Sequence, residues 1–383
     1  MVLVKKMANF QITKKEYPAF SSFFSELKDP RRISKGNHLY PLEEILFLSI
    51  AAVVSGSDTW TAISLFGRAK LDWLRKFYPF ANGIPSHDVL GKLFAALDPE
   101  AFSRCFVSWI ESISKITSGE VVSIDGKTLR GSGNKTSEKS PLHVISAFAS
   151  ANRLCMGQVA VDSKSNEITA IPELLELIAI KGCIVTIDAM GCQKSIARAI
   201  KDKGADYVLM VKGNQKELKE QIEKLFLIAS VKAETSSHDL DHGRIERRKC
   251  EVIDQLRFLD GKQQWAGLRS VVRITSERIF KQTGKGNTEV RYYISSLEPD
   301  AILINRSVRS HWAVENNLHW SLDVIFKEDA SLKKKDHSPQ NYNIIAKNAL
   351  TLIDQEKSTN KSKPMKRMLA ALVDDYRAKI LKI

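Results

Sequence analysis

Asp125 closes the run Val-Val-Ser-Ile-Asp at 121–125, and Asp188 closes Cys-Ile-Val-Thr-Ile-Asp at 183–188. Each aspartate ends an apolar, β-branched stretch of strand character, where a buried strand opens into a loop able to carry chemistry. Adjacent strand ends would bring the two carboxylates together, which is costly unless a cation offsets their repulsion. A hard divalent ion such as Mg²⁺ (or Mn²⁺) takes carboxylate and water oxygens and needs no full protein cage. Two such ions, roughly 3.5–4 Å apart, clamp the attacking and leaving oxygens of an in-line phosphoryl displacement. That chemistry normally uses a third carboxylate. The bland alternative makes Asp125 a turn residue, because Asp-Gly is a frequent turn pair and Gly126 is expected to break the strand.

Candidates for the third acid lie in SVRSHWAVENNLHWSLDVIF (307–326), whose texture predicts one long helical tract. His311, Glu315, His319 and Asp323 recur every four residues and would form one slowly drifting stripe on a helix face. Such a stripe is commonly just the solvated side. Here Trp312, Leu318, Trp320 and Leu322 interleave with it and argue for partial burial. Zinc is disfavoured, since the HExxH spacing is absent and no third ligand is evident.

The elements that must position these groups change character along the chain. Residues 1–110 predict a helical region with segments at 41–56, at 58–77 with Asp58 as N-cap, and at 84–97 opened by Ser86. Short successive helices fit a DNA-binding module, and equally a plain helical cap on a neighbouring domain. From residue 119 the order reads β-β-β-α-β-α-β: strands at 121–125, 142–149 and 154–161, then a helix over 163–180 with Pro172 near its first turn. A strand at 183–188, a helix at 194–204 and a strand at 206–215 follow, which together describe a mixed sheet with flanking helices. Residues 228–290 are polar and basic and read as a β-rich insertion, with a loop at 281–288, before RYYISSL (291–297) returns to the main sheet. The tail around KSTNKSKPMKR (357–367) reads as basic and solvated, or touching phosphate.

Over 383 residues, 58 Lys and Arg against 44 Asp and Glu leave a formal charge of +14. That excess favours a polyanionic partner such as nucleic acid. The five cysteines (105, 155, 183, 192 and 250) lack metal spacing and read as free thiols in a reducing cytosol. The start, MVLVKKMANF, has too short an apolar run for a signal peptide, and no stretch approaches the length of a membrane span.

A specific resemblance then emerges. SIDGKTLRGS, HVISAFA, SNEITAIPELL, TIDAMGCQK, VKGNQ, HGRIERR, RYYISSL and HWAVENNLHWSLDVIFKEDA look like the H-repeat-associated transposases of bacterial insertion sequences, in the same order from about residue 17 to 355. That family belongs to the DDE transposases, so the resemblance implies an α/β, RNase H-like mixed sheet flanked by helices, after an all-helical N-terminal domain. It divides the chain into a helical domain at 1–110 for binding DNA ends, a catalytic domain at 111–355 with the insertion at 228–290, and a basic tail at 356–383. It implies metal-dependent cleavage at element ends and strand transfer into target DNA, with Asp125, Asp188 and Glu315 as catalytic residues and ligands of two Mg²⁺ (or Mn²⁺) ions.

The DNA-contact candidates are Lys127, Lys212, His242, Arg244, Arg247, Arg309, His311 and His319. One departure stands out. Related enzymes often carry a lysine two turns after the Glu, and here those positions hold Leu318, His319 and Leu322. The implied partners are double-stranded DNA, as terminal inverted repeats and target, and a second copy of the chain in the DNA complex. No membrane is implied, and the implied location is the bacterial cytoplasm at the nucleoid. Two other readings stay open: a catalytically silent DNA-binding remnant of an element, and an RNase H-like nuclease without strand transfer.

Overall fold

β1 (Val121–Leu129) is the strand around which the rest of the protein is organised in a computed structural model describing residues 20–32, 39–114, 117–133, 140–161, 166–241, 244–281 and 286–383. Six helices precede it: α1 (Phe20–Phe24), α2 (Leu42–Val54), α3 (Trp60–Ala69), α4 (Leu71–Leu74), α5 (His87–Ala96) and α6 (Pro99–Ile113). The start of the chain, where no signal peptide was expected, lies outside the described residues. Ser86 caps α5 as its position predicts, accepting from Val89 N–H at 3.4 Å. Asp58 does not cap α3. Thr59 does, accepting from Ala62 N–H at 3.1 Å, which frees the Asp58 carboxylate for a tertiary partner.

After β1 come β2 (Leu142–Ala149), β3 (Leu154–Val161), α7 (Glu167–Leu177), β4 (Ile184–Ile187), α8 (Lys194–Asp202), β5 (Asp206–Val211) and α9 (Lys216–Ile228). The strands β6 (Ala233–Asp241), β7 (Arg244–Ile253), β8 (Ser270–Phe280) and β9 (Gly286–Ser295) complete a nine-stranded sheet ordered β3-β2-β1-β4-β5-β9-β8-β7-β6. β1 pairs antiparallel with β2 and parallel with β4, and β4 pairs parallel with β5, the mixed core expected of an RNase H-like fold. Residues 228–290 therefore do not form a separate insertion. Their strands extend the same sheet, because β9 pairs antiparallel with β5 through Leu209 and Ile294 and carries β8, β7 and β6 with it. The middle of the loop expected at 281–288 lies outside the described residues, and its end at 286–288 already belongs to β9. Pro172 sits at the sixth position of α7, which starts late because Asn166 caps it, accepting from Ile168 N–H at 3.0 Å.

α10 (Ala301–Ala313) packs on one sheet face through Ala301, Ile304 and Val308, against Val121, Ile184 and Val208. The tract from 307 is not one continuous α-helix. Residues Val314–His319 form a π-helical turn, in which Trp320 N–H donates to the Glu315 carbonyl, before α11 (Trp320–Val324) resumes. π segments inside helices are uncommon and frequent at functional sites. No helix among the described residues is long and apolar enough to cross a membrane.

α12 (Ser338–Gln355), α13 (Lys363–Leu372) and α14 (Asp374–Leu381) end the chain. The tail is thus folded, not solvated. Ala370, Ile380 and Leu381 join the main core with α2, a helix buried at every residue but Glu43. A helix apolar on all sides needs cover all round, and the C-terminal helices supply part of it. Arg367 enters the same interior and ion-pairs with Asp58.

Candidate active site

Pairing between β1 and β4 ends at Ile124 opposite Ile187, so Asp125 and Asp188 are the next residues of two parallel neighbours. Their carboxylates share one end of the sheet because both strands run the same way. β1 itself does not stop there. It continues to Leu129 along β2, so Gly126 is a strand residue and not a breaker. Glycine is required for space: a Cβ at Gly126 would land on Glu167 Oε1 and His143 Nε2. Past Ile187 the β4 side of β1 is unpaired, and acids from other elements gather at that opening.

Burial pushes the Asp125 carboxyl up to about 6, the backbone N–H of Gly126 works against it, and the charges of Asp188, Glu167 and Glu315 push further the same way. Glu315 lies in the π turn and is exposed. The three predicted acids therefore act on one another, although among the described residues no three His, Cys, Asp or Glu side chains close into a ready-made metal cage. The donor set nevertheless suits a hard divalent cation: carboxylate oxygens crowded to the point of holding a proton are what such an ion relieves.

This crowding has a pH consequence. An ordinary Asp titrates at 3.8, whereas Asp125 titrates at about 6 in the fold. The folded state binds this proton more tightly than the unfolded one, so its contribution is present below about pH 4 and lost as pH rises through about 6. Without divalent ions, the urea midpoint of the parent should fall relative to Asp125→Asn across that window. A difference that stays flat with pH would contradict the crowding.

The histidines are turned inward. His311 Nδ1 meets Thr186 Oγ1 at 3.1 Å, and burial lowers its pKa. His319 Nδ1 stands 3.6 Å from Asp125 Oδ2. Burial first, then the positive charges of Lys347 and Lys127, hold His319 near 3, so it is neutral and its contact with Asp125 is no ion pair. The π turn explains the separation, because its extra residue breaks the four-residue stripe: His311 turns toward β4 and His319 toward β1.

Lys127 is likewise not a free phosphate contact. Its Nζ lies 2.5 Å from Asp323 and 2.7 Å from Glu328, and the side chain is only 13% exposed. Burial opposes its charge, but the two carboxylates prevail and raise its pKa. It shares a face of β1 with Asp125 and closes the floor of the site. Lys212 is exposed just after β5. Arg247 is exposed on β7, 3.5 Å from Glu277. Arg309 on α10 forms a half-exposed pair with Asp239 of β6 at 2.6 Å. Arg244 opens β7, and His242 lies outside the described residues.

Four groups escaped the sequence reading. Glu328 holds Lys127 and accepts from Asn343 Nδ2, while Lys347 of α12 donates to Ser146 Oγ at 2.6 Å, directly opposite Asp125 in the β1–β2 register. His143 and Glu167 form a 2.7 Å contact over Gly126. Glu167 sits at the start of a helix, where an acid reads as favourable to the helix dipole and nothing more. A usable signal existed for His143: extending β1 past Gly126 places it opposite Thr128.

Residues 116–352 match the family described as Transposase DDE domain, and residues 21–110 match the one described as DDE_Tnp_1-associated. Among relatives, the protein named "Putative transposase YncI" of Escherichia coli O157:H7 is 40% identical over 94% of this chain and 93% of its own length. The "H repeat-associated putative transposase YhhI" of Escherichia coli strain K12 is 38% identical over 93% of this chain and 96% of its own. A looser likeness, TM-score 0.46 at 13% identity over 98% of this chain and 84% of the other, is to the piggyBac transposase in a synaptic complex with hairpin DNA. With the family match spanning well over half its length, this chain belongs to the DDE transposases, of the H-repeat-associated type.

Proposed function

We propose that this transposase is a divalent-metal-dependent DNA strand transferase, cutting the ends of a bacterial insertion element and joining them to target DNA. The observation that carries the reading is the register of Asp125 and Asp188 at the end of two parallel strands, with Asp125 held at about 6 by burial and neighbouring acids. Asp125, Asp188 and Glu315 would hold the ions. When bound, divalent ions activate the attacking oxygen and neutralise charge on the leaving one.

The chain's own groups do the positioning. Asp188 is fixed by accepting from Met190 N–H at 3.0 Å. Neutral His319 fills the wall beside Asp125, and Lys127 braces the floor without adding a titrating group. Phosphoryl transfer asks chiefly for such positioning and charge. Lys212, Arg247 and Arg309 are the exposed cations available to the DNA backbone. The Arg309–Asp239 pair contributes about 0–1 kcal/mol at most, so exchanging Asp239 for a phosphate is cheap. The charge of +14 supports the same polyanionic partner, and the active complex is read as two or more copies on paired element ends.

The test is incubation of the full chain with supercoiled DNA carrying its element ends, with and without Mg²⁺. Mg²⁺-dependent nicks at the ends and joined products are expected. Nicks without joined products would reduce the protein to a nuclease. Folded, DNA-binding protein without nicks would make it a silent remnant.

A further inference from the structure

The opening beside Asp125 holds more than three acids. Glu167, first residue of α7, approaches β1 from the face on which Gly126 lies, and its charge bears on Asp125 ahead of that of Glu315. Its position is built. His143 Nδ1 meets Thr128 Oγ1 at 3.0 Å while His143 Nε2 meets Glu167 Oε1 at 2.7 Å. With the Thr128 hydroxyl donating to Nδ1, His143 carries its proton on Nε2 and donates it to the Glu167 carboxylate. Gly126 supplies the room, since any Cβ there would occupy the space of both groups. Glu167 Oε2 makes no hydrogen bond among the described residues.

Helix α7 could have begun with any residue compatible with the Asn166 cap. A carboxylate at this spot, two-thirds or more buried and beside three other acids, costs stability without a cation to offset it. The Thr128–His143 relay orients one oxygen and leaves the other toward the acids, the arrangement by which outer groups orient a ligand carboxylate. The alternative, a plain surface ion pair, does not account for a strand glycine reserved beneath it.

We propose that Glu167 is a fourth carboxylate of the candidate metal site, oriented by His143 and admitted by Gly126. This rests on the proposed metal-dependent reading of Asp125 and Asp188. Glu167 is a ligand candidate, and His143 is a positioning residue that acts through it.

The test uses the full chain without DNA, titrated with Mn²⁺ and followed by isothermal calorimetry and by loss of the free-ion paramagnetic resonance signal. Glu167→Gln keeps the shape and the helix start, so circular dichroism and the metal-free Tm should match or exceed the parent. Its Mn²⁺ affinity should fall at least about tenfold, and that of His143→Ala by about tenfold, the usual range for groups that orient a ligand. Asp125→Asn in the same assay should lose binding altogether. If Asp125→Asn loses Mn²⁺ while Glu167→Gln binds like the parent, the fourth-carboxylate proposal is overturned and the three-acid site stands. If Asp125→Asn also binds like the parent, the site reading itself fails.

Discussion

Asp125→Asn is expected to lower Mg²⁺-dependent strand cleavage on the order of 10³-fold or more while leaving binding to element ends in place. The amide keeps the shape of the carboxylate and removes the charge that a divalent ion needs. Recognition should persist because the exposed cations, Lys212, Arg247 and Arg309, lie on other elements. The metal-free protein should be no less stable, since one of the crowded acids has been neutralised and Asp125 already titrates at about 6. Added Mg²⁺ should raise the Tm of the parent and not of the variant, because a ligand stabilises only the state that binds it. Asp188→Asn and Glu315→Gln should behave in the same way. If Asp125 were merely a turn residue, the pattern would invert: a modest stability change with cleavage retained. Substantial Mg²⁺-dependent cleavage by purified Asp125→Asn would remove it from the mechanism.

The second large effect concerns folding. Arg367 is 7% exposed in its side chain, ion-pairs with Asp58, and donates to the carbonyls of Val53 at 2.9 Å and Ile325 at 2.8 Å. Its guanidinium also lies 4.2 Å from the centre of the Phe326 ring. Burial raises the pKa of Asp58 in spite of the arginine, so losing the cation would leave a costly charge behind. Arg367→Met should therefore cost about 3–5 kcal/mol, the usual size for removing one partner of a buried pair. The corresponding fall in Tm is on the order of 10 °C. Combining it with Asp58→Asn should recover part of that loss, because replacing both charges leaves neither stranded. A tail that merely hung in solvent would make Arg367→Met melt like the parent.

The sequence by itself determined the two aspartate positions. An apolar, β-branched run has only one regular way to bury itself, and an acid at its end must leave the core there. That logic placed Asp125 and Asp188 without any partner being known, and the parallel register of β1 and β4 then put them side by side. The helical start, the α/β alternation and Ser86 as a cap were legible for the same reason: each depends on residues near in sequence.

Tertiary structure decided the rest. Asp-Gly is a turn pair by local preference, yet β2 carries β1 onward and α7 takes the space above Gly126. The four-residue stripe at 311–323 assumed an unbroken α-helix, and one π turn sent its members to different neighbours. Lys127 and Arg367 looked like solvated cations because local sequence says nothing about carboxylates two or three hundred residues away. Asp323 and Glu328 sit on the first and Asp58 on the second, and a buried cation is stable only where such a partner exists. Charge type is written in the sequence. Which charges face water is settled by packing, since only packing fixes the distance between them.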